Sequence, residues 1–238
     1  MNREINLHPS VESWLLKLAE EDPVSADLVE AAIDMLADNG PALGRPLVDR
    51  LFGCRTHNLK ELRPGSSGGT EVRVLFVFDP KREAILLVAG DKFGRWQGWY
   101  RESIPLAEAR YDEYLAAADE AEMDGKALMS RYSSWTDAKR RIRENQPEVS
   151  DAEWESRKQV ARTATEAYVV GHHLREIREE QGLTQAQVAA SVGISQARVS
   201  QIERGEIHNL ESMRAYAEAL GARVTVTIEY RDRTVGAA

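Results

Sequence analysis

Two arginines at the ends of neighbouring predicted strands are well placed to bind an anion in this 238-residue sequence. Arg63 ends one segment of extended character, and Arg73 lies near the start of a strand predicted over residues 71–78. A hairpin between these strands brings the two guanidinium groups side by side, where they repel each other unless an anion lies between them. The pair therefore predicts an anion site. Neutralisation of both arginines by Glu61 and Glu71 is the alternative.

Residues 90–101 interleave cations with aromatic rings. Three basic side chains alternate there with four aromatic ones, among several glycines. This mixture suits unpaired RNA, because bases stack on rings while phosphates require positive charge. A core position for both tryptophans, with solvated cations beside them, is the alternative.

For an RNA phosphate at such a site, the compatible chemistry is cleavage of the RNA by its own 2′-hydroxyl group. The reaction needs proton removal, positive charge on the phosphorane and a proton for the leaving oxygen. Arg63 and Arg73 are predicted to hold the phosphorane. Lys92 or His57 is predicted to transfer protons if a neighbouring cation lowers its pKa. For His57 the alternative is a polar strand residue without a catalytic role, and no metal or other cofactor is expected.

Charge is segregated along the chain, although the formal net charge is −8. Residues 44–101 carry 11 basic and 6 acidic side chains, a net charge of +5, whereas residues 1–43 carry 2 basic and 9 acidic, a net charge of −7. Two interpretations of the basic middle are equally compatible with this pattern. It is either a local anion-binding surface or a chance segregation of charge on a solvated face. No segment approaches the ~18 apolar residues of a membrane span, so we expect a cytoplasmic protein without membrane contact. Cys54 is the single cysteine, so we expect neither an intrachain disulfide nor a thiolate zinc site.

The elements that must position these side chains begin with a short strand and two helices that form an antiparallel hairpin. The acidic outer faces of these helices are interpreted as solvated surface. Three strands joined by tight turns follow, then a loop at 90–99 and a closing helix. Their predicted ranges are 4–8 for the first strand, 52–63, 71–78 and 84–89 for the others, and 105–118 for the closing helix. Residues 1–118 are therefore predicted to form an α+β domain, with the helical hairpin on one face of a small antiparallel sheet and the other face open.

A junction is predicted at residues 119–134, and helices at 135–142 and 153–170 are predicted to lie within a segment spanning 135–170. Residues 171–238 are predicted to form an all-α domain with one C-terminal strand at 222–230. That strand is interpreted either as an edge available for dimerisation or as part of its own domain.

A helix-turn-helix is predicted at residues 184–205. Thr184 and Ser195 are predicted to cap its two helices, and Gly193 to form the left-handed turn between them. The stretch, with its ending Ile202-Glu203-Arg204-Gly205, resembles the phage-repressor and Cro type of helix-turn-helix. That resemblance implies that the second helix enters the major groove of an operator, usually as a homodimer. The residues predicted to bind DNA are Gln185, Ser195, Gln196, Ala197, Arg198, Ser200 and Gln201. A helical domain that binds only protein is the alternative.

The motifs Asn58-Leu59-Lys60-Glu61-Leu62-Arg63, Glu71-Val72-Arg73-Val74-Leu75-Phe76 and Gly90-Asp91-Lys92 resemble RelE/HigB-type toxins, which are ribonucleases that cut messenger RNA, usually in the ribosome. The resemblance implies a RelE-like fold for residues 1–118. It also implies catalytic roles for Arg63, Arg73, Lys92, Arg95 and Tyr100, although Tyr100 lies at a longer spacing than the terminal tyrosine of some members. The further candidates for RNA binding are Lys60, Trp96, Trp99 and Arg101.

A toxin-like domain followed by a repressor-like domain matches the toxin-first order of HigB–HigA modules, whose two partners are normally separate proteins. We therefore expect a ribosome-dependent mRNA endonuclease, silenced in cis or in trans by an antitoxin half that represses its own operon. The helices of residues 135–170 are expected to mask the toxin. The fusion is interpreted as natural, as an engineered tether, or as a chain also translated from Met129. The alternatives are a transcriptional regulator with a non-catalytic N-terminal sensor, and a ParE-like toxin that targets DNA gyrase.

Overall fold

The structure is a computed structural model that describes residues 3–94, 96–124, 132–207, 209–230 and 233–237. The chain divides into two compact units, residues 1–162 and residues 163–238. Met129 and Arg95 lie outside the described residues. No helix in the described part of the chain is both long and apolar enough to cross a membrane.

The first unit is built around a six-stranded mixed sheet. Its strands are β1 (Ile5–Leu7), β2 (Val48–Arg50), β3 (Lys60–Leu62), β4 (Val72–Phe78), β5 (Ala84–Asp91) and β6 (Ser133–Ser134). Their order is β2-β3-β4-β5-β1-β6, with β1 parallel to β5 and the other neighbours antiparallel. The α+β class is confirmed, but the sheet is not purely antiparallel, because the helical hairpin returns the chain to the same end of the sheet before β5 pairs with β1.

Two helices, α1 (Pro9–Glu21) and α2 (Pro23–Asn39), form the predicted hairpin. Each begins with proline in its first turn, where a missing N–H costs nothing, and each has a side-chain cap, from His8 and Asp22 respectively. The apolar side of the hairpin is buried, with Leu15 in α1 as one of its fully covered side chains.

The opposite face of the sheet is covered, contrary to the prediction that it is open. A long helix, α3 (Trp96–Asp124), packs Trp99 and Tyr114 against Leu75 and Leu87 of the sheet in one buried cluster. The helix begins nine residues before Pro105, where it was predicted to begin, so that part of the predicted loop is helical. Proline usually starts a helix, but here tertiary packing of the first turns tolerates it in the interior.

Five helices follow β6 in the described part of the chain. Helix α4 (Trp135–Glu144) belongs to the first unit, and α5 (Asp151–Glu180) crosses the boundary at residue 162 and ends ten residues beyond the predicted end at residue 170. The second unit contains α6 (Gln185–Val192), α7 (Gln196–Glu203) and α8 (Leu210–Ala219). The predicted C-terminal strand is a hairpin of β7 (Val226–Tyr230) and β8 (Arg233–Ala237).

Candidate functional site

The two arginines predicted to bind an anion meet on a buried carboxylate of the chain itself. Glu61 in β3 is only 1% exposed. The Arg63 Nε donates to its Oε1 at 2.7 Å, while the Tyr100 hydroxyl donates to its Oε2 at 2.5 Å and Arg73 Nε lies 3.9 Å from the same oxygen. The two arginines therefore approach each other as predicted, but Glu61 pairs with both of them, as in the alternative to an anion site.

A second carboxylate closes the outer half of the same group. Glu71 Oε1 lies 3.1 Å from Arg73 Nη2 and 3.4 Å from Lys92 Nζ. The Arg73 and Lys92 side chains are 13% and 6% exposed, whereas the Glu71 side chain is 47% exposed. Together Arg63, Arg73, Lys92, Glu61, Glu71 and Tyr100 form what we call the charged cluster.

Strand register explains why these residues meet. Glu61 pairs with Leu75 and Leu62 with Val74, which leaves Arg63 and Arg73 one residue further along each strand. Arg73 in turn pairs with Gly90 of β5, two residues before Lys92. The cluster lies on the face covered by α3, whose second turn supplies Tyr100.

The protonation of the cluster follows from its burial and charge. Burial and the neighbouring Arg73 lower the pKa of Lys92, and Glu71 and Glu61 oppose that shift. Burial and the hydrogen bond to Glu61 raise the pKa of Tyr100 well above its usual value. Lys92 is thus a better proton donor near neutral pH than an exposed lysine, whereas Tyr100 stays protonated and serves to hold Glu61.

Other predicted RNA-contacting residues are placed elsewhere. Trp99 is 9% exposed in the core between α3 and the sheet, so the prediction that it contacts RNA is wrong for this fold. Lys60 pairs with Phe76 on the face of the sheet opposite Glu61, and is separated from the cluster by the sheet. Arg101 is exposed on α3, while Trp96 opens that helix.

His57 is exposed in the loop before β3, because the strand begins only at Lys60 and not at residue 52 as predicted. The loop is tied to the middle of α3, where Thr56 N donates to Glu108 and Arg55 pairs with Asp112. These two α3 positions lie about 12 and about 18 Å from Tyr100 along the helix axis, which is more than two turns. The structure therefore does not bring His57 into the charged cluster.

A second feature of this unit is a docked segment, within the region whose helices were predicted to mask the toxin. Residues 132–162, which we call the docking segment, attach to the helical hairpin and to β1. Its strand β6 pairs with β1, and Trp135 is buried with its Nε1 donating to Asp34 at 2.7 Å. Arg141 pairs with Glu12 of α1, so the first helix of the segment is held by both apolar and charged contacts.

The start of α5 continues this attachment with ion pairs to α2. Arg157 binds Asp27 through two hydrogen bonds, of 2.8 and 3.2 Å, and Lys158 lies 2.8 Å from Asp27 and 2.7 Å from Glu30. Asp27 and Glu30 are 6% and 2% exposed. Burial raises the pKa of Glu30, and the Lys158 ammonium opposes the shift. Arg162 adds a pair with Asp38.

The acidic outer face of α2 is therefore a binding surface and not merely solvated, as had been predicted. Its residues Asp27, Glu30, Asp34 and Asp38 recur at helical spacing, which was the signal available in the sequence. The ion pairs described between the docking segment and this hairpin lie on the α1–α2 face of the sheet. The charged cluster lies on the α3 face, so the described ion pairs of these helices are made on the opposite side of the sheet from the catalytic candidates.

The helix-turn-helix of the second unit forms as its local sequence predicts. Thr184 caps α6 in a reciprocal capping box with Gln187, and Ser195 caps α7 through the Arg198 N–H. Gly193 sits at φ 72°, in the left-handed region that other residues rarely adopt. Gly171 in α5 lies so close to α7 that an added Cβ would be 2.2 Å from the Ile202 carbonyl oxygen.

The predicted DNA-reading side chains lie along one exposed edge of this unit. Gln196, Ala197 and Arg198 are exposed at the start of α7, and Ser200 and Gln201 are half-buried. The Gln196 amide donates to Gln185 Oε1 at 2.6 Å, linking the starts of α6 and α7.

A buried ion pair supports this edge from below. Arg178 Nε donates to Glu203 at 2.6 Å, and Glu203 also accepts from Tyr216 at 2.5 Å and from Gln185 at 2.8 Å. Although burial raises the pKa of Glu203, hydrogen bonds from Arg178 and Tyr216 outweigh it and hold that pKa below its usual value. Gln185 is therefore fixed at both of its amide atoms before any DNA is bound.

Comparison with known proteins divides the chain in the same way. Residues 14–112 match the family described as phage derived protein Gp49-like, and residues 174–226 match the family described as helix-turn-helix. Over 106 residues the chain is 53% identical to a Mycobacterium tuberculosis protein named as toxin HigB2, a match that covers 44% of this chain and 51% of that relative. The chain thus spans about half the length of HigB2.

Two other relatives from the same organism are covered more fully. A protein named as toxin HigB3 is 48% identical over 111 residues, which cover 47% of this chain and 92% of that protein. A protein named as antitoxin HigA3 is 42% identical over 79 residues, which cover 32% of this chain and 72% of that protein. One chain therefore contains sequence similar to both members of such a pair.

Proposed function

Because the chain belongs to the HigB family in its N-terminal part and to the HigA family in its C-terminal part, we propose that it is a toxin and its antitoxin in one polypeptide. The toxin part is a metal-independent endoribonuclease that cuts messenger RNA on the ribosome. The antitoxin part silences it and represses transcription of its own operon. The charged cluster is the observation that carries the proposal.

The cluster suits phosphodiester cleavage, because Arg63 and Arg73 converge with Lys92 beside a partly open edge. In the reaction, the 2′-oxygen loses its proton to solvent and bonds to phosphorus, and the bond from phosphorus to the 5′-oxygen breaks. Arg73 and Lys92 neutralise the phosphorane, and Lys92 protonates the leaving 5′-oxygen. Glu61 and Tyr100 position the arginines. The products are a 2′,3′-cyclic phosphate and a free 5′-hydroxyl.

Silencing works through the helical hairpin rather than by filling the charged cluster. The docking segment covers the acidic face of α1–α2 with Trp135 and the cations of α4 and α5. A toxin that must enter the ribosome needs free surface, and the docking segment occupies the α1–α2 face that ribosomal RNA would otherwise contact.

The toxin part is tested by separating the two activities in cells. Residues 1–124, which retain all of α3, are expected to arrest growth when expressed alone, and residues 129–238 supplied from a second plasmid are expected to restore it. Growth on an inducing medium is the readout. Unimpaired growth with detectable soluble fragment would instead favour a regulator with a non-catalytic N-terminal sensor.

The antitoxin part is proposed to bind a two-fold operator as a homodimer. One helix-turn-helix makes few phosphate contacts, so a second copy is needed for tight binding at physiological salt. Gln196 and Gln201 are proposed to read adenines, Ala197 to contact a thymine methyl, and Arg198 to contact a guanine or a phosphate. Ser195 and Ser200 lie at the same edge, with Gln185 at its rim.

Replacing Gln196 and Gln201 by alanine is expected to weaken specific operator binding by about 1–3 kcal/mol for each lost base contact. Gel-shift titration of the full chain against its upstream DNA measures this. Glu218→Gln, on the exposed side of α8, is the matched control and should leave binding unchanged. Equal losses on specific and random DNA would contradict a base-reading role.

A further inference from the structure

We propose that Arg73 and Lys92 form a subsite for a phosphate group of single-stranded RNA, and that Glu71 is an internal carboxylate that occupies this subsite until the substrate displaces it. The inference rests on the proposed ribonuclease function and deepens it. It assigns to Glu71 a role in controlling access of the substrate phosphate to the cations.

The Glu71 carboxylate contacts Arg73 and Lys92 in the way that a bound phosphate group would. Its Oε1 accepts from Arg73 Nη2 at 3.1 Å and lies 3.4 Å from Lys92 Nζ, so one oxygen bridges two buried cations. A phosphate oxygen would be held by the same two donors. Among the residues that the structure describes, the buried Arg73 Nε has no hydrogen-bond acceptor and lies 3.9 Å from Glu61 Oε2, so Glu61 lines the inner side of the subsite and Glu71 its outer side.

The cations are fixed, whereas the carboxylate can turn away. Arg73 is anchored by its Nη1, which donates to the Val72 carbonyl at 2.6 Å, and Lys92 is almost completely buried. The Glu71 backbone is tied to β5, because its N–H donates to Asp91 and its carbonyl accepts from the Lys92 N–H. Its half-exposed side chain can therefore rotate into solvent without moving the strand.

Charge balance favours exchange of one anion for another. The charged cluster extends to Asp49 and Arg45, because Asp49 lies 2.9 Å from both Arg63 and Arg45. With Glu71 in place, the four cations of this group exceed its three carboxylates by one formal charge. With Glu71 turned away the excess is +2, and one phosphodiester group restores it to +1. Glu61 cannot play this part, because it is buried and holds both Arg63 and Tyr100.

The test is binding of a single-stranded RNA whose 2′-oxygens are all methylated, so that it cannot be cleaved. Fluorescence anisotropy is measured on the full chain and on the Arg157→Glu/Lys158→Glu chain. Glu71→Gln is expected to tighten binding by about five- to tenfold at low salt. It is also expected to steepen the slope of log K against log salt by about 0.7, the value for one added phosphate contact. Adding Arg73→Ala should remove the gain.

Asp112→Asn is the matched control, because it also removes one negative charge from an exposed carboxylate paired to an arginine of the same unit. It should change RNA affinity by less than about twofold. Inorganic phosphate is a second probe, small enough to reach the cluster, followed by the 13Cε shift of Lys92. Phosphate should move this signal more strongly in the Glu71→Gln chain than in the wild type.

Equal tightening by Glu71→Gln and Asp112→Asn, no tightening by Glu71→Gln, or no response of Lys92 to phosphate would overturn the subsite. The proposed ribonuclease function would survive these results if Arg73→Ala still abolished cleavage. Conversely, a Glu71→Gln gain that depends on Arg73, in a chain that cuts no RNA, would leave the subsite standing and remove the ribonuclease function.

Discussion

Replacing Arg157 and Lys158 by glutamate is expected to turn the silent full-length chain into one that arrests growth. In the wild-type chain, Arg157 and Lys158 of α5 pair with Asp27 and Glu30 of α2. The substitution places negative charges opposite these two carboxylates, which then repel α5. Breaking a buried ion pair costs about 3–5 kcal/mol, and a loss of about 4 kcal/mol corresponds to roughly a thousandfold weaker docking. Colony counts under induction measure the effect, with soluble chain quantified alongside.

Arg140→Glu is the control for this substitution, because Arg140 is exposed on α4 and pairs within the docking segment, with Asp137 and Glu144. It should leave the chain silent. The double substitution Asp27→Arg/Arg157→Glu exchanges the charges of this ion pair, so it should recover part of the silencing that Arg157→Glu alone removes. If the charge-reversed chain is soluble and harmless while residues 1–124 alone are toxic, these ion pairs do not control the toxin.

Arg73→Ala in the charge-reversed chain is expected to reduce RNA cleavage by about 10²- to 10³-fold. Loss of one preorganised donor to a developing oxyanion has this magnitude in other enzymes, and Arg73 lies between Glu61, Glu71 and the buried Lys92. Arg73→Lys should retain part of the activity, since it keeps the charge but not the two-pronged geometry.

The control for Arg73 is Arg55→Ala, which removes a cation of the same unit that pairs with Asp112 on α3. It should leave cleavage within about twofold. Both variants should unfold in one cooperative thermal transition, with a lower midpoint for Arg73→Ala because its partner Glu61 is buried. Cleavage undiminished by Arg73→Ala would remove the charged cluster from the mechanism. Cleavage by no variant, together with inhibition of DNA gyrase, would favour a ParE-like activity on this fold.

The helix-turn-helix was predictable because its determinants are local. Thr184, Gly193 and Ser195 each fix a helix end through their own backbone or side-chain chemistry, and the structure has all three as predicted. The buried Arg178–Glu203 pair was not predicted. Its partners are 25 residues apart in the sequence, and a charged pair within amphipathic helices looks like solvated surface until the fold buries it.

In the first unit, strands β4 and β5 were predicted from alternation and a buried apolar run, but the coverage of the second face was not. Leu75 and Val77 alternate with Val74 and Phe76, and both sets are buried, because α3 packs on one face and the hairpin on the other. Sequence alternation reports burial of one face only when the other is solvated.

The candidate site was predicted in part. The approach of Arg63 to Arg73 followed from strand pairing, and the participation of Lys92 from the resemblance. The central position of Glu61 depends on its complete burial, which the tertiary structure alone determines. The role of the α2 carboxylates likewise required the docking segment, because Asp27 and Arg157 are 130 residues apart in the sequence.

Mapping 5′ ends on a translated reporter mRNA tests whether the chain contains an RNA-cutting toxin that its own C-terminal part holds silent. The reporter is expressed with residues 1–124 alone, with residues 1–124 together with residues 129–238, and with residues 1–124 carrying Arg73→Ala; an untranslated copy of the reporter is the control in each case. We expect new 5′-hydroxyl ends within the translated copy only, for residues 1–124 alone, and their loss in the other two cases. Intact reporter mRNA in cells arrested by residues 1–124 would contradict it.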